Sequence, residues 1–287
     1  MKRVLKWAGF GLAGLVVFVL FAVAGAFAAS ELMIRWPASD TAELKLASAA
    51  AGSVERGRRI AKLNGCHDCH GERLEGRLFH DEMPILRAWG PNLTLAAAEQ
   101  SDAELDRSIR HGVAPGGRRL WVMPSFALSQ LSDQEAADLI AYVRSFPVAG
   151  EPQPRIQVGH LGRLGLLLGK FRSEAAMLAK SGPPVLPDYG PQHAQGRQVA
   201  ELCVECHGAD LKGMELLKAP DLTMAASYDP ADFARLLHEG VAAGDRKLDG
   251  LMGAVAQSRF SALSETEIQA LHAYLKARAE HEIAAAQ

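Results

Sequence analysis

The sequence predicts an all-α protein: two tandem helical domains behind an N-terminal transmembrane helix. Three observations carry that expectation. Residues 7–29 form an apolar run without a polar side chain, preceded by Lys2, Arg3 and Lys6. Residues 66–146 are answered block by block, in the same order, by residues 203–278. Within each block the start signals and apolar spacing are those of helices, and no alternating strand run appears.

The N-terminal run comes first. At about 1.5 Å rise per residue a helix over it is about 34 Å long, enough for a hydrocarbon core of about 30 Å. The basic residues before it keep the N-terminus cytoplasmic and send the rest of the chain outward. A cleaved signal peptide is the competing reading, because "AFAAS" offers small residues at cleavage-site spacing. The apolar run exceeds the about 7–15 residues of a signal core, which favours an anchor. Both readings place the remainder outside the cytoplasm.

The repeat is the next element. "CHDCHGERLEG" at 66–76 and "CVECHGADLKG" at 203–213 match without a gap as C-x-x-C-H-G-x-x-L-x-G. "GPNLT" answers "APDLT", "AELDRSIRHGV" answers "ADFARLLHEGV", and "LSDQEAADLIAYVRSF" answers "LSETEIQALHAYLKAR". Self-similarity over such a length means two copies of one fold. The expected division is an anchor or signal peptide at 1–35, a first domain at 45–147, a linker at 148–187 and a second domain at 188–287.

Helix starts follow from capping chemistry. Ser101 with Glu104, Ser132 with Glu135 and Ser264 with Glu267 are capping boxes, and Asp229 before Pro230 is an N-cap followed by a first-turn proline. Ala136, Leu139, Ile140 and Val143, and then Ile268, Leu271 and Leu275, recur at helical spacing. The linker holds "PVAGEPQP" and "SGPPVLPDYGP", both turn-rich, around "HLGRLGLLLGKF". That last segment is either a basic apolar helix on a membrane surface or a connector packed against the two domains.

Composition narrows the function. Thirty-one Lys and Arg against 33 Asp and Glu give a formal charge of -2, which leaves no basic excess for nucleic acid. Only 6% of residues are aromatic, so two small domains have thin cores unless something large and flat completes them.

All four cysteines lie in the two C-x-x-C-H motifs. Cys-x-x-Cys serves as a zinc half-site, as a dithiol redox pair or, with His directly following, as an attachment point for haem c. A shared zinc site needs none of the surrounding similarity, and a thioredoxin-like dithiol needs a βαβ setting that is missing here. Haem attachment uses every residue: Cys66 and Cys69, and Cys203 and Cys206, form thioethers at one edge of the porphyrin, and His70 or His207 binds the iron. His67, between the cysteines, is expected to face solvent.

For the sixth iron ligand the first copy offers Met83, Met123, His80 and His111. The repeat selects Met123 and Met252, which lie at nearly the same remove from Gly112 and Gly240, ahead of the last helix. His111 aligns with Glu239, His80 has no counterpart, and Met214 follows its motif too closely to reach across a ring.

Each copy resembles a class I cytochrome c domain over about 50–147 and 188–280, and the pair resembles membrane-anchored dihaem c-type cytochromes of bacteria. The resemblance implies that the carbonyls of Pro91 and Pro220 accept hydrogen bonds from His70 and His207. It implies too that Gly57 and Gly196 in the first helices let the last helices cross closely at Tyr142 and Tyr274. The second copy departs by reading "LMGA" where the first has the family's "MPSF".

A haem with both axial positions filled by protein can only gain and lose an electron. The expected function is therefore a non-enzymatic relay through two covalent haem c groups, anchored once in a bacterial inner membrane with its soluble part in the periplasm. A quinol-linked complex or dehydrogenase would donate, and a cytochrome or terminal oxidase would accept. The alternatives are a dihaem peroxidase with one open haem, and a haem-based sensor or assembly factor.

Overall fold

The computed structural model describes residues 2–38 and 49–285. The expected start of the first domain at residue 45 and the end of the second at 287 lie outside the described residues. Helix α1 (Lys2–Arg35) contains the stretch Gly9–Arg35, whose most apolar 18-residue window has a mean hydropathy of 2.6 and is not buried by protein. It is long and apolar enough to cross a membrane.

In the first unit, α2 (Val54–Leu63) starts at Ser53, whose side chain accepts from Arg56 N, and leads into the short helix α3 (Cys66–His70). α4 (Leu93–Glu99), α5 (Asp102–His111), α6 (Ser125–Leu128) and α7 (Asp133–Arg144) follow. The capping boxes at Ser101 and Ser132 are formed as their sequence spacing requires. α2 crosses α7 at Gly57, where a Cβ would lie 1.9 Å from Asp138 O and 2.7 Å from Tyr142 Cβ. No side chain fits that crossing, so glycine sets the helix separation.

The second unit repeats the plan. α10 (Ala194–Ala200), α11 (Val204–His207), α12 (Pro230–Glu239), α13 (Leu251–Ser258) and α14 (Glu265–Ala285) occupy matching places. Asp229 accepts from Ala231 N at the start of α12, and Ser264 exchanges hydrogen bonds with Glu267 at the start of α14. At the α10–α14 crossing a Cβ on Gly196 would lie 2.0 Å from Ala270 O and 2.7 Å from Tyr274 Cβ. Each unit has its own core, Ile140 and Leu105 in one, Tyr274 and Phe233 in the other.

Strands are the departure from the sequence expectation. β1 (Arg77–Glu82) and β2 (Leu86–Gly90) form an antiparallel hairpin inside the first unit, and β5 (Gln157–Val158), from the linker, adds to its edge through Leu86 and Arg87. β3 (Val113–Ala114) with β4 (Arg118–Arg119), and β6 (Val241–Ala242) with β7 (Arg246–Lys247), are two-residue ribbons. All are antiparallel, so no βαβ unit arises. The hairpin escaped notice because its side chains do not alternate between buried and exposed.

The linker is also more attached than its turn-rich sequence suggested. α8 (His160–Leu167) lies against the C-terminal end of α1: Arg163 donates to Ser30 Oγ at 2.9 Å and Glu31 Oε2 at 2.6 Å, and its guanidinium sits 4.0 Å over the Phe27 ring. Gly159 N donates to Ile85 O at 2.9 Å, joining α8 to the hairpin. α9 (Glu174–Ser181) packs on α6, where the Glu174 carboxylate accepts from Phe126 N at 2.9 Å. Thus "HLGRLGLLLGKF" mounts the first unit on the N-terminal apolar helix rather than bridging the two units.

Candidate functional site

The two C-x-x-C-H segments are built alike from the backbone upward. Each winds through α3 or α11 and then reverses, so that Gly76 N donates to His70 O and Gly213 N to His207 O, both at 2.8 Å. The reversal puts Leu74 (φ 59°) and Leu211 (φ 60°) in the left-handed region, where a leucine is costly. Both are fully buried, so packing holds them there. Their carbonyls accept from Leu93 N at 2.8 Å and Leu222 N at 2.9 Å, which pins the "GPNL" and "APDL" segments against the motifs.

That pinning delivers the prolines. His70 Nδ1 donates to Pro91 O at 2.9 Å, and His207 Nδ1 donates to Pro220 O at 2.8 Å. A carbonyl only accepts, so Nδ1 carries the proton and Nε2 keeps its lone pair. No hydrogen-bond partner meets either Nε2 among the described residues. The imidazoles are 7% and 8% exposed, and burial pushes both pKa values down, which keeps them neutral. A neutral imidazole, oriented through Nδ1 and open at Nε2, is a prepared iron ligand.

The loops behind the prolines are braced differently. Asn92 caps α4 and donates to Ala149 O at 2.7 Å. Asp221 takes the matching place in the second unit and accepts from Arg278, which is buried on the last helix, at 3.0 Å.

No disulfide joins the four cysteines, and before attachment burial pushes the thiols of Cys66 and Cys203 up to about 12 and those of Cys69 and Cys206 up to about 11. A reactive dithiol needs the opposite shift. Among the described residues no three His, Cys, Asp or Glu side chains converge as a metal site would require. The donor set therefore fits a tethered macrocycle and not a zinc site or redox dithiol.

A cytochrome c family model matches residues 54–147 and again 193–279. The chain belongs to the cytochrome c family. A curated relative described as a dihaem cytochrome c-type protein, from Cereibacter sphaeroides, is 25% identical over 303 aligned positions, covering 92% of this chain and 96% of the relative. This cytochrome c carries two covalently bound haem c groups and serves electron transport.

The remaining candidates fall as follows. Met123 directly precedes Pro124, the cap of α6, and is half-buried against the core that Cys66 also touches. Met252 is half-buried against the core that Cys203 touches, but it lies inside α13 rather than before a helix. His80 stands half-exposed on β1 beside Glu82, and Met83 is exposed between the strands. Met214 forms a backbone bridge with Ala219.

His67 corrects an expectation. It is partly buried rather than free in solvent: Nδ1 donates to Gly71 O at 3.2 Å, and Nε2 accepts from Tyr142 OH at 3.1 Å. The residue between the cysteines thereby ties the motif to the helix that crosses at Gly57. Sequence reading missed this because the partner lies far along the chain.

Proposed function

We propose that this cytochrome c is a membrane-anchored electron carrier whose soluble part faces the bacterial periplasm. It relays single electrons between a quinol-linked complex or dehydrogenase and a cytochrome or terminal oxidase, and it performs no bond-making chemistry of its own. Haem bound at each site supplies reversible one-electron chemistry. Cys66 and Cys69 hold one group, and Cys203 and Cys206 the other. His70 and His207 would bind the irons through Nε2, and Met123 and Met252 would each supply a second protein ligand. Pro91 and Pro220 fix the imidazoles.

The observation that carries this reading is the same imidazole geometry built twice, each with a methionine ahead of the last helix. With a histidine and a methionine for each iron, neither unit would keep a place for a substrate. A peroxidase would need one unit to lack its methionine. The contact between the units supports a relay: α11 of the second meets α6 of the first, just beyond Met123, and the turn after α13 meets α2. The second unit's attachment helix thus lies against the methionine side of the first.

The membrane orientation rests on Lys2, Arg3 and Lys6 before the apolar run. Leu161, Leu164, Leu167 and Leu168 are exposed beside the outer end of α1, which suits an interfacial helix resting among lipid headgroups. The test uses membranes of the producing cell. Both haems should be reduced by a respiratory substrate and reoxidised by the terminal acceptor, with peroxide turnover no faster than that of free haem peptide. Haems that stay inert to respiratory substrates while peroxide turns over rapidly would reject the carrier.

A further inference from the structure

Asp68 and Glu205 hold the same place in the two motifs, directly before the second cysteine. Both carboxylates turn to one side chain. Arg259 Nε donates to Asp68 Oδ2 at 2.7 Å, and its Nη1 donates to Glu205 Oε2 at 2.9 Å. The arginine side chain is 12% exposed and sits at the C-terminal cap of α13. Its guanidinium fills the space beside Gly65, where a Cβ would lie 2.1 Å from Nε. A side chain before Cys66 would push the guanidinium out of this place, and the φ of 67° at Gly65 itself favours glycine. The first unit has no such arginine, since counting back from the matched Leu131 and Leu263 sets Ala127 opposite Arg259.

We propose that Arg259 is a positioning residue that locks the two haem-attachment segments against one another and holds up the reduction potential of both haems. The inference rests on the attachment reading of the two motifs. Without the arginine, two carboxylates, each directly before a haem-attaching cysteine, face each other across the junction. A guanidinium offers rigidly spaced donors to two acids at once, which an ammonium cannot match.

Arg259 does not bring the units together by itself. Leu63 enters the core of the second unit, Phe126 and Ala127 pack against it, and Arg59 reaches Ala262 O at 3.2 Å and Glu267 Oε2 at 2.6 Å. Its share is the register of the attachment segments. Its charge acts on the irons because the oxidised haem carries one more positive charge than the reduced one. A nearby cation disfavours the oxidised form, and partial burial reduces screening.

The test compares full-length protein with the Arg259→Gln and Arg259→Lys variants in detergent. Redox titration reads both potentials, and flash reduction reads the exchange of an electron between the haems. Arg259→Gln should keep two haems, lower both potentials together and slow exchange about tenfold, equivalent to about 1.4 kcal/mol. Arg259→Lys should restore the potentials but not the exchange rate, because it keeps the charge and loses the fork. Should Arg259→Gln fail to mature, Asp68→Asn and Glu205→Gln provide the second arm, each expected to raise both potentials.

Potentials that ignore Arg259→Gln, a shift confined to one haem, potentials that Arg259→Lys does not restore, or acid variants that raise neither potential would overturn the proposal. A two-haem chain with any of those results leaves the attachment reading standing. A native chain without two haems would strike the attachment reading itself.

Discussion

The two units share their chemistry and differ in what they are fastened to. The turn after each C-x-x-C-H, the imidazole tie to a proline carbonyl and the glycine crossing agree to within about 0.1 Å in their key contacts. The first unit then adds the β1–β2 hairpin, which receives β5 and reaches α1 through α8. The second unit has no such insertion and instead carries Arg259, which reaches back to the first. One unit is built to sit on the N-terminal apolar helix, and the other is built to sit on its neighbour. The cofactor frame is thus common property, while position in the assembly is written into the parts that do not repeat.

Removing attachment should break the comparison most severely. Cys66→Ala with Cys69→Ala should halve the covalent haem per chain, and the same change at Cys203 and Cys206 should do the same. Haem stain after denaturing electrophoresis, set against protein mass, reads both. Unequal losses, or retention of both haems, would contradict equivalent sites.

The glycine crossings sharpen it next. Helix propensity favours alanine over glycine by about 1 kcal/mol. At Gly57 or Gly196 the new methyl meets a carbonyl inside 2.1 Å, and overpacking of that kind costs about 3 kcal/mol. The clash wins, so Gly57→Ala and Gly196→Ala should each destabilise their own unit by about 2 kcal/mol net. Denaturant titration followed at the haem absorption checks the size, and a stabilised variant would show that the helices can separate.

The attachment frame was open to sequence reading because its signals are local or repeated. Ser132 with Glu135 and Asp229 with Pro230 declare helix starts over three or four residues, and the duplicated motif names its cysteines and histidines. The hairpin was hidden because its face pattern does not alternate and its third strand comes from the linker. His67 to Tyr142, and Asp68 to Arg259, join residues far apart in sequence, so nothing in either neighbourhood announces them. The acid at the same place in both motifs was the one available hint of the second contact.

A smaller effect is a pH dependence that both units share, through Glu174 beside the first and Glu201 in the second, each raised by burial to about 7. Burial, assisted by the nearby Glu205 charge, raises the Glu174 carboxyl from 4.5 to about 7 in the contact between α9 and α6. A raised carboxyl favours the folded state while protonated. Its contribution is complete below 4.5 and is lost as pH rises through about 7. The thermal midpoint of the first unit should therefore fall between pH 5 and 8 by more than that of Glu174→Gln. Equal slopes in the two proteins would remove Glu174 from the account.

The central claim is that both irons are closed by the same pair of protein ligands although Met123 precedes a helix and Met252 lies within one. Near-infrared absorption of the oxidised protein, quantified per haem, tests this directly. The account predicts the weak sulfur-to-iron charge-transfer band at the intensity of two methionine-ligated haems, with Met123→Ala and Met252→Ala each removing half. A native band worth one haem, accompanied by a high-spin signal from the other, would contradict it.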